Sequence, residues 1–198
     1  MQKNTTPLLA AEGVSFAYGS DPVLNGVDLR IFPGEIVALV GPNGCGKSTL
    51  LKSLARVLKP GSGRVMLDGA PILSMASRDV ARRLALLPQG PIAPEGLTVE
   101  ELVTQGRFPH QTLLRQWSPG DREAVERAIE MTDLAGLADR PVATLSGGQR
   151  QRCWIAMTLA QDTPLMLLDE PTTFLDLRVQ MDVMALLSRI AGEGGARF

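Results

Sequence analysis

Short runs of alternating apolar and polar residues open the chain. Over residues 8–32, Val14, Phe16 and Tyr18 fall on one side of a strand, with turn signals at 19–22 and at Pro33 and Gly34. An antiparallel β entry region is expected there. Ile36, Val37, Ala38, Leu39 and Val40 then form an unbroken apolar run, the pattern of a strand buried on both faces of a parallel sheet. Glycines interrupt it over 41–46. Leu50, Leu51, Leu54, Val57 and Leu58 recur at helical spacing over 47–58, and Lys59, Pro60 and Gly61 stop that helix. Strand, glycine loop and helix are thus expected in direct succession.

The middle of the chain changes character. Thr98 to Glu101 and Ser118 to Asp121 each have the form of a capping box ahead of a helical pattern, so residues 90–160 read as mainly helical. In the second of these helices Ala124, Val125, Ala128 and Ile129 make an apolar stripe, opposite Arg122, Glu123, Glu126 and Arg127. The sheet resumes at 165–168 and ends in Asp169, Glu170 and Pro171, after which 177–190 is helical again. The pattern predicts an α/β fold. A mostly parallel sheet with flanking helices and an N-terminal antiparallel β region forms the core, 8–89 and 161–198, and about 90–160 forms a helical subdomain. No repeat or low-complexity segment is visible.

Composition narrows the class. The 198 residues are 44% hydrophobic and 21% charged with a formal net charge of -1, which suits one soluble globular domain. A chain of this length buries roughly 70% of its unfolded surface and needs neither disulfides nor a structural metal. Cys45 and Cys153 lie far apart without ligand spacing, which fits a reducing compartment. The near-neutral balance lacks the basic footprint of a nucleic-acid binder, so no nucleic-acid partner is expected. Residues 1–11 hold one lysine and too short an apolar patch for a secretory signal, and the longest uncharged apolar stretches, 36–40 and 153–160, fall far short of a membrane span. Membrane association is expected to go through a partner.

The glycine loop carries the chemistry. Gly41, Pro42, Asn43, Gly44, Cys45, Gly46, Lys47 and Ser48 match G-x-x-x-x-G-K-[S/T], with Thr49 following, in the strand-to-helix setting that a phosphate loop requires. Backbone N–H groups curl around a phosphate, the helix N-terminus adds its positive end, Lys47 neutralises terminal phosphate charge and Ser48 can ligate Mg²⁺. A plain glycine turn is the alternative. Asp169 and Glu170, at the tip of a buried parallel strand, supply the complement: Asp169 would hold Mg²⁺, and Glu170 would polarise the attacking water. Alone, such a pair could equally cap a helix.

Leu145, Ser146, Gly147, Gly148, Gln149 and Arg150 bring a family into view. With the two motifs above, this segment resembles the signature of ABC transporter nucleotide-binding subunits, whose phosphate-loop NTPase core binds ATP and Mg²⁺. Ser146 would cap a helix whose amides Gly147 and Gly148 leave free, making a second anion site. The resemblance implies a head-to-tail dimer with a second copy, in which the segment 146–149 of each closes over the ATP held by Lys47 of the other. It also implies that Gln89 contacts Mg²⁺ and the attacking water and joins the helical subdomain to the core. Asp176 would couple the two sites. Tyr18 matches the aromatic that stacks on adenine, although its strand face would also suit the core.

The segment around Gly106, Arg107, Phe108, Pro109 and His110, and that from Gln149 to Ala156, are similar to ATPases of iron(III)-siderophore importers; haem and cobalamin importers share much of this. The resemblance implies membrane permease subunits as partners, a substrate-binding protein indirectly, and a peripheral place on the cytoplasmic face of the membrane. His110, the only histidine, is expected on a transporter-facing surface or simply in solvent. Cys45 reads as an inert small residue, with labelling by thiol reagents when nucleotide is absent as the alternative, and Arg78, Arg82 and Arg83 as a solvated helix face. The family continues into a strand ending in a switch histidine, which this sequence does not include; 192–195 resembles the turn into that strand and 196–198 its start. The expectation is a chain that binds Mg-ATP but hydrolyses it poorly. A catalytically silent fragment is one alternative. A DNA or ribosome ATPase is another, but it fits badly with Lys47 and Asp169 only 122 positions apart.

Overall fold

The computed structural model describes residues 6–91, 93–112, 117–173 and 175–193. The chain divides into two compact units, one running to Val80 and the other starting at Ala81.

In the first unit β1 (Leu9–Tyr18) and β2 (Asp21–Ile31) form the expected antiparallel pair, in register from Leu9 opposite Ile31 to Tyr18 opposite Asp21. Sequence patterning did not reveal β3 (Ser62–Leu67) and β4 (Ala70–Pro71), which complete a sheet of order β2-β1-β3-β4. Two glycines make that pairing close: a Cβ on Gly63 would stand 2.2 Å from the carbonyl oxygen of Gly13. Leu9, Ala11, Val14, Leu24, Ile31, Val65 and Leu67 are buried, each large side chain contributing about 1.5–3 kcal/mol. Helix α1 (Lys47–Leu54) buries Leu50 and Leu54 and contacts β1 and β2. It stops before Val57 because Ala55 ends it and Arg56 turns left-handed at φ 61°. The Arg56 guanidinium then donates to the carbonyls of Ile72 and Met75.

One expectation fails here. Residues 36–40 are not a strand, and Ile36 and Val40 are 62% and 93% exposed. A strand exists through its ladder to a neighbour, and no described strand pairs with this run. Apolar, β-branched composition makes a segment available for a sheet without supplying the sheet.

The second unit holds a parallel pair, β5 (Leu84–Leu87) with β6 (Leu165–Leu168), in register from Leu84 opposite Leu165 to Leu87 opposite Leu168. α2 (Ser77–Ala81) stops before Arg82 and Arg83, so the arginines are solvent-exposed as expected but do not share one helix face. α3 (Val99–Thr104), α4 (Pro119–Met131) and α5 (Gly147–Ala160) pack together, with Leu102, Val103, Val125, Ile129, Ile155 and Ala156 buried between them. The expected caps are real: Thr98 with Glu101 and Ser118 with Asp121 form reciprocal capping boxes. α6 (Leu177–Glu193) extends past 190, so Gly192 and Glu193 are helical rather than a turn; residues 194–198 lie outside the described residues. None of the described helices is long and apolar enough to cross a membrane.

A buried ion pair fastens this unit. Arg107, in the 3-10 turn Gln105–His110, donates through Nε to Asp121 Oδ1 at 2.9 Å and through Nη1 to the Ala160 carbonyl at 2.7 Å. The Arg107 charge thus sits on the negative end of α5 while Asp121 caps α4. From the same turn His110 Nε2 donates to the Gln161 carbonyl at 2.8 Å. His110 is half-buried and packed in place, which corrects the purely solvent-exposed alternative.

Candidate functional site

The phosphate loop occupies the first unit. Gly44 and Gly46 have φ of 80° and 96°, a conformation that glycine adopts without a Cβ penalty. Gly46 is doubly constrained, because a Cβ there would also stand 3.0 Å from Val23 Cγ1. The loop curls tightly enough for Lys47 Nζ to donate to the carbonyls of Gly41 and Pro42, both at 2.9 Å. Cys45 is exposed, with Sγ 4.0 Å from that ammonium, while Thr49 is buried in the first turn of α1. Glycine backbone, an ammonium and the amides of a helix start together fit a polyphosphate. Among the described residues no group of three or more His, Cys, Asp or Glu could hold a metal. Tyr18, 53% exposed and edge-on to Phe16 with ring centroids 4.9 Å apart, is a surface aromatic rather than a core one.

In the second unit the end of β6 gathers the acidic pair. The Asp169 amide donates to the Leu87 carbonyl at 2.9 Å, and Asp169 is buried. Glu170 follows with φ 48°, an uncommon conformation for a residue with a side chain, and folds the chain back at the strand tip. Gln89, just past the end of β5, donates through Nε2 to Glu170 Oε2 at 2.6 Å. The parallel pairing of β5 and β6 thus brings together two residues 81 positions apart in sequence. Thr173 donates through Oγ1 to the same oxygen at 2.8 Å. Sequence reading missed this residue. Its signal was present: a hydroxyl three positions after the carboxylate can reach back across a turn.

The signature segment is built as expected at its start. Ser146 accepts from the Gln149 amide and the Gln149 side chain accepts from the Ser146 amide, closing a capping box on α5. Gly148 has a second task that spacing did not disclose. A Cβ there would stand 2.5 Å from Val179 Cγ1 of α6, whereas one on Gly147 would stand 3.5 Å from Leu175 Cδ2. Valine in a helix is held to one rotamer and cannot swing away. Gly148→Ala is therefore expected to destabilise the chain by about 1–3 kcal/mol, with Gly147→Ala close to neutral. Urea unfolding followed by circular dichroism separates the two, and equal midpoints would remove the packing argument. Asp176 Oδ1 accepts from the Val179 amide at 3.0 Å, capping α6, so Asp176 and Gly148 both meet at Val179. Cys153 is buried in α5, and burial pushes its thiol up to about 11, so it stays protonated and inert.

The chain is similar to known proteins over most of its length. A family described as ABC transporter matches residues 24–173. The chain is 54% identical over 179 residues to the petrobactin import ATP-binding protein FpuD of Bacillus anthracis, covering 90% of this chain and 66% of that protein. It is 50% identical over 187 residues to the ferric enterobactin transport ATP-binding protein FepC of Escherichia coli, covering 94% and 69%. The chain thus spans about two thirds of these relatives' length. Among solved structures, the dimeric bacterial ABC transporter cassette MJ0796 superposes with a TM-score of 0.80 at 28% identity, covering 96% of this chain and 86% of that one. With its phosphate loop, its Asp169 and Glu170 strand tip and its capped Ser146 segment, the chain belongs to the ABC transporter family, as an ATP-binding domain.

Proposed function

We propose that the protein is the ATP-binding and ATP-hydrolysing subunit of an ABC importer for an iron(III)-siderophore-type chelate. It would work with separate membrane permease subunits, on the cytoplasmic face of the membrane, and as a head-to-tail pair of copies. The observation that carries the enzymatic part is the carboxylate of Glu170, fixed by Gln89 at the tip of β6 in a chain that also bears a complete phosphate loop. The substrate class rests on the relatives, whose names specify petrobactin and ferric enterobactin. The chelate itself would be recognised elsewhere, by the permease and a substrate-binding protein.

In this reading Lys47 and the first amides of α1 neutralise the terminal phosphates of ATP, and Tyr18 stacks on the base. Ser48, Asp169 and Gln89 would hold Mg²⁺, and the ion would supply charge that offsets that of the terminal phosphates. Glu170 takes a proton from the attacking water, and Gln89 orients both. Ser146, Gly147, Gly148 and Gln149 meet the γ-phosphate of the ATP held by the other copy, with Asp176 linking the two sites. Isothermal titration with Mg-ATP and single-turnover hydrolysis test this. Saturable binding is expected in the wild type and in Glu170→Gln, with hydrolysis in the variant reduced by about 10²- to 10⁴-fold. Failure of the wild type to bind Mg-ATP would overturn the reading, and so would undiminished hydrolysis by Glu170→Gln.

A further inference from the structure

The carboxylate of Glu170 is held unevenly. Two donors, Gln89 Nε2 at 2.6 Å and Thr173 Oγ1 at 2.8 Å, meet on Oε2, while Oε1 takes no hydrogen bond from a described residue. The donors come from different parts of the fold. Gln89 follows β5, whereas Thr173 sits in the turn that Glu170 itself begins, its amide donating to the Glu170 carbonyl at 3.2 Å. That turn exists because Glu170 is left-handed, at φ 48°. Backbone strain of this kind persists where the surroundings enforce it, and it concentrates at functional positions.

The terminal torsion of a glutamate is broad and roughly two-fold, so one donor leaves the carboxylate free to swing and exchange its oxygens. Two donors on one oxygen remove that freedom. We propose that Thr173 is a positioning residue for proton transfer: with the Gln89 amide it pins Oε2 of Glu170 and assigns proton acceptance to Oε1. The proposal rests on Glu170 acting as the base. In the step it governs, a water O–H bond breaks and its proton passes to Oε1. The water oxygen bonds to the terminal phosphorus, and the bond from that phosphorus to the bridging oxygen breaks, its electron pair leaving on ADP.

Thr173→Val removes the hydroxyl at nearly constant shape, and Thr173→Ser restores it. Thr172, whose side chain makes no hydrogen bond to a described residue, supplies the control Thr172→Val. In single-turnover hydrolysis of Mg-ATP, Thr173→Val is expected to be slowed about tenfold, the scale of one hydrogen bond held through the transition state. KM and the dissociation constant for ATP should stay within about twofold. Thr173→Ser and Thr172→Val should both run close to wild type. A second readout needs no turnover. In ¹⁵N spectra of the free chain, the Gln89 side-chain amide should shift upfield and exchange faster in Thr173→Val, because its acceptor is no longer held. An undiminished rate in Thr173→Val, a Thr173→Ser variant as slow as it, or an unmoved Gln89 resonance would each overturn the proposal. Glu170→Gln keeps the failures apart: if it hydrolyses like wild type, the base assignment itself is wrong, and if it alone is impaired, only the role of Thr173 falls.

Discussion

Arg107→Ala is expected to destabilise the chain by about 3–5 kcal/mol, the cost of leaving a buried charge without its partner. Arg107 and Asp121 side chains are 7% and 5% exposed, and the guanidinium satisfies Asp121 and the Ala160 carbonyl together. Removing it orphans both the carboxylate and the last turn of α5. The remedy in the fold is partial, since Ser118 still donates to Asp121 Oδ2 through its amide at 2.9 Å and its hydroxyl at 2.6 Å. The double variant Arg107→Met with Asp121→Asn keeps the Ser118 contacts and removes both charges. It should therefore lose less stability than the two single losses added, and urea unfolding of all four proteins measures the coupling. Strict additivity would show that the pair does not act as one.

The same pair fixes a pH dependence. Burial raises the Asp121 pKa, but hydrogen bonds from Ser118 and Arg107 and the Arg107 charge outweigh it and hold the carboxyl below its ordinary value of 3.8. Because the folded value is depressed, the unfolded chain binds the proton more readily, and stability rises with pH across that window. The contribution is complete above about pH 5, and it drains away as the pH falls through the ordinary value toward the folded one. The stability gap between wild type and Arg107→Ala should accordingly narrow below pH 4. A gap constant from neutral to pH 3 would contradict the assignment.

What the sequence disclosed follows the range of each interaction. The capping boxes at Thr98, Ser118 and Ser146 are contacts across three residues, so their spacing determines them, and all three form. The phosphate loop is legible for the same reason: Lys47 closes onto carbonyls only five and six positions away. Ile36 to Val40 failed because strand identity is conferred by a neighbour, and local composition cannot report whether one is present. β3 was overlooked because Gly61 and Gly63 blur an alternation that Val65 and Leu67, both buried, do carry. Asp121 shows a subtler limit. Its place in a capping box explained it fully, and nothing local hinted that the other carboxylate oxygen would face a buried Arg107. Val179 and Thr173 became informative only once the turn at Glu170 and the approach of α5 to α6 were known.

Lys47→Met is expected to weaken Mg-ATP binding by about a hundredfold, the loss of a charge-assisted hydrogen bond plus the disturbance of the loop that holds it. An ammonium has three donors. Two of Lys47's lie on the carbonyls of Gly41 and Pro42 and the third meets only the weakly accepting Cys45 sulfur at 4.0 Å, so a phosphate oxygen can take that third donor while the loop stays tied. Lys47 thus shapes the loop as well as neutralising charge, and the two roles separate by substitution. Lys47→Arg keeps the charge, but a planar fork on a longer side chain does not reproduce a compact ammonium between two carbonyls. It should recover only part of the affinity. Titrations with ATP, ADP and AMP resolve the rest, because a phosphate-directed loss grows from AMP to ATP, whereas a collapsed site weakens all three alike. If Lys47→Arg bound as tightly as wild type, charge alone would account for this residue and the loop ties would be incidental. If Lys47→Met did so, the polyphosphate would have to be held without Lys47, and the assignment of the loop would fail.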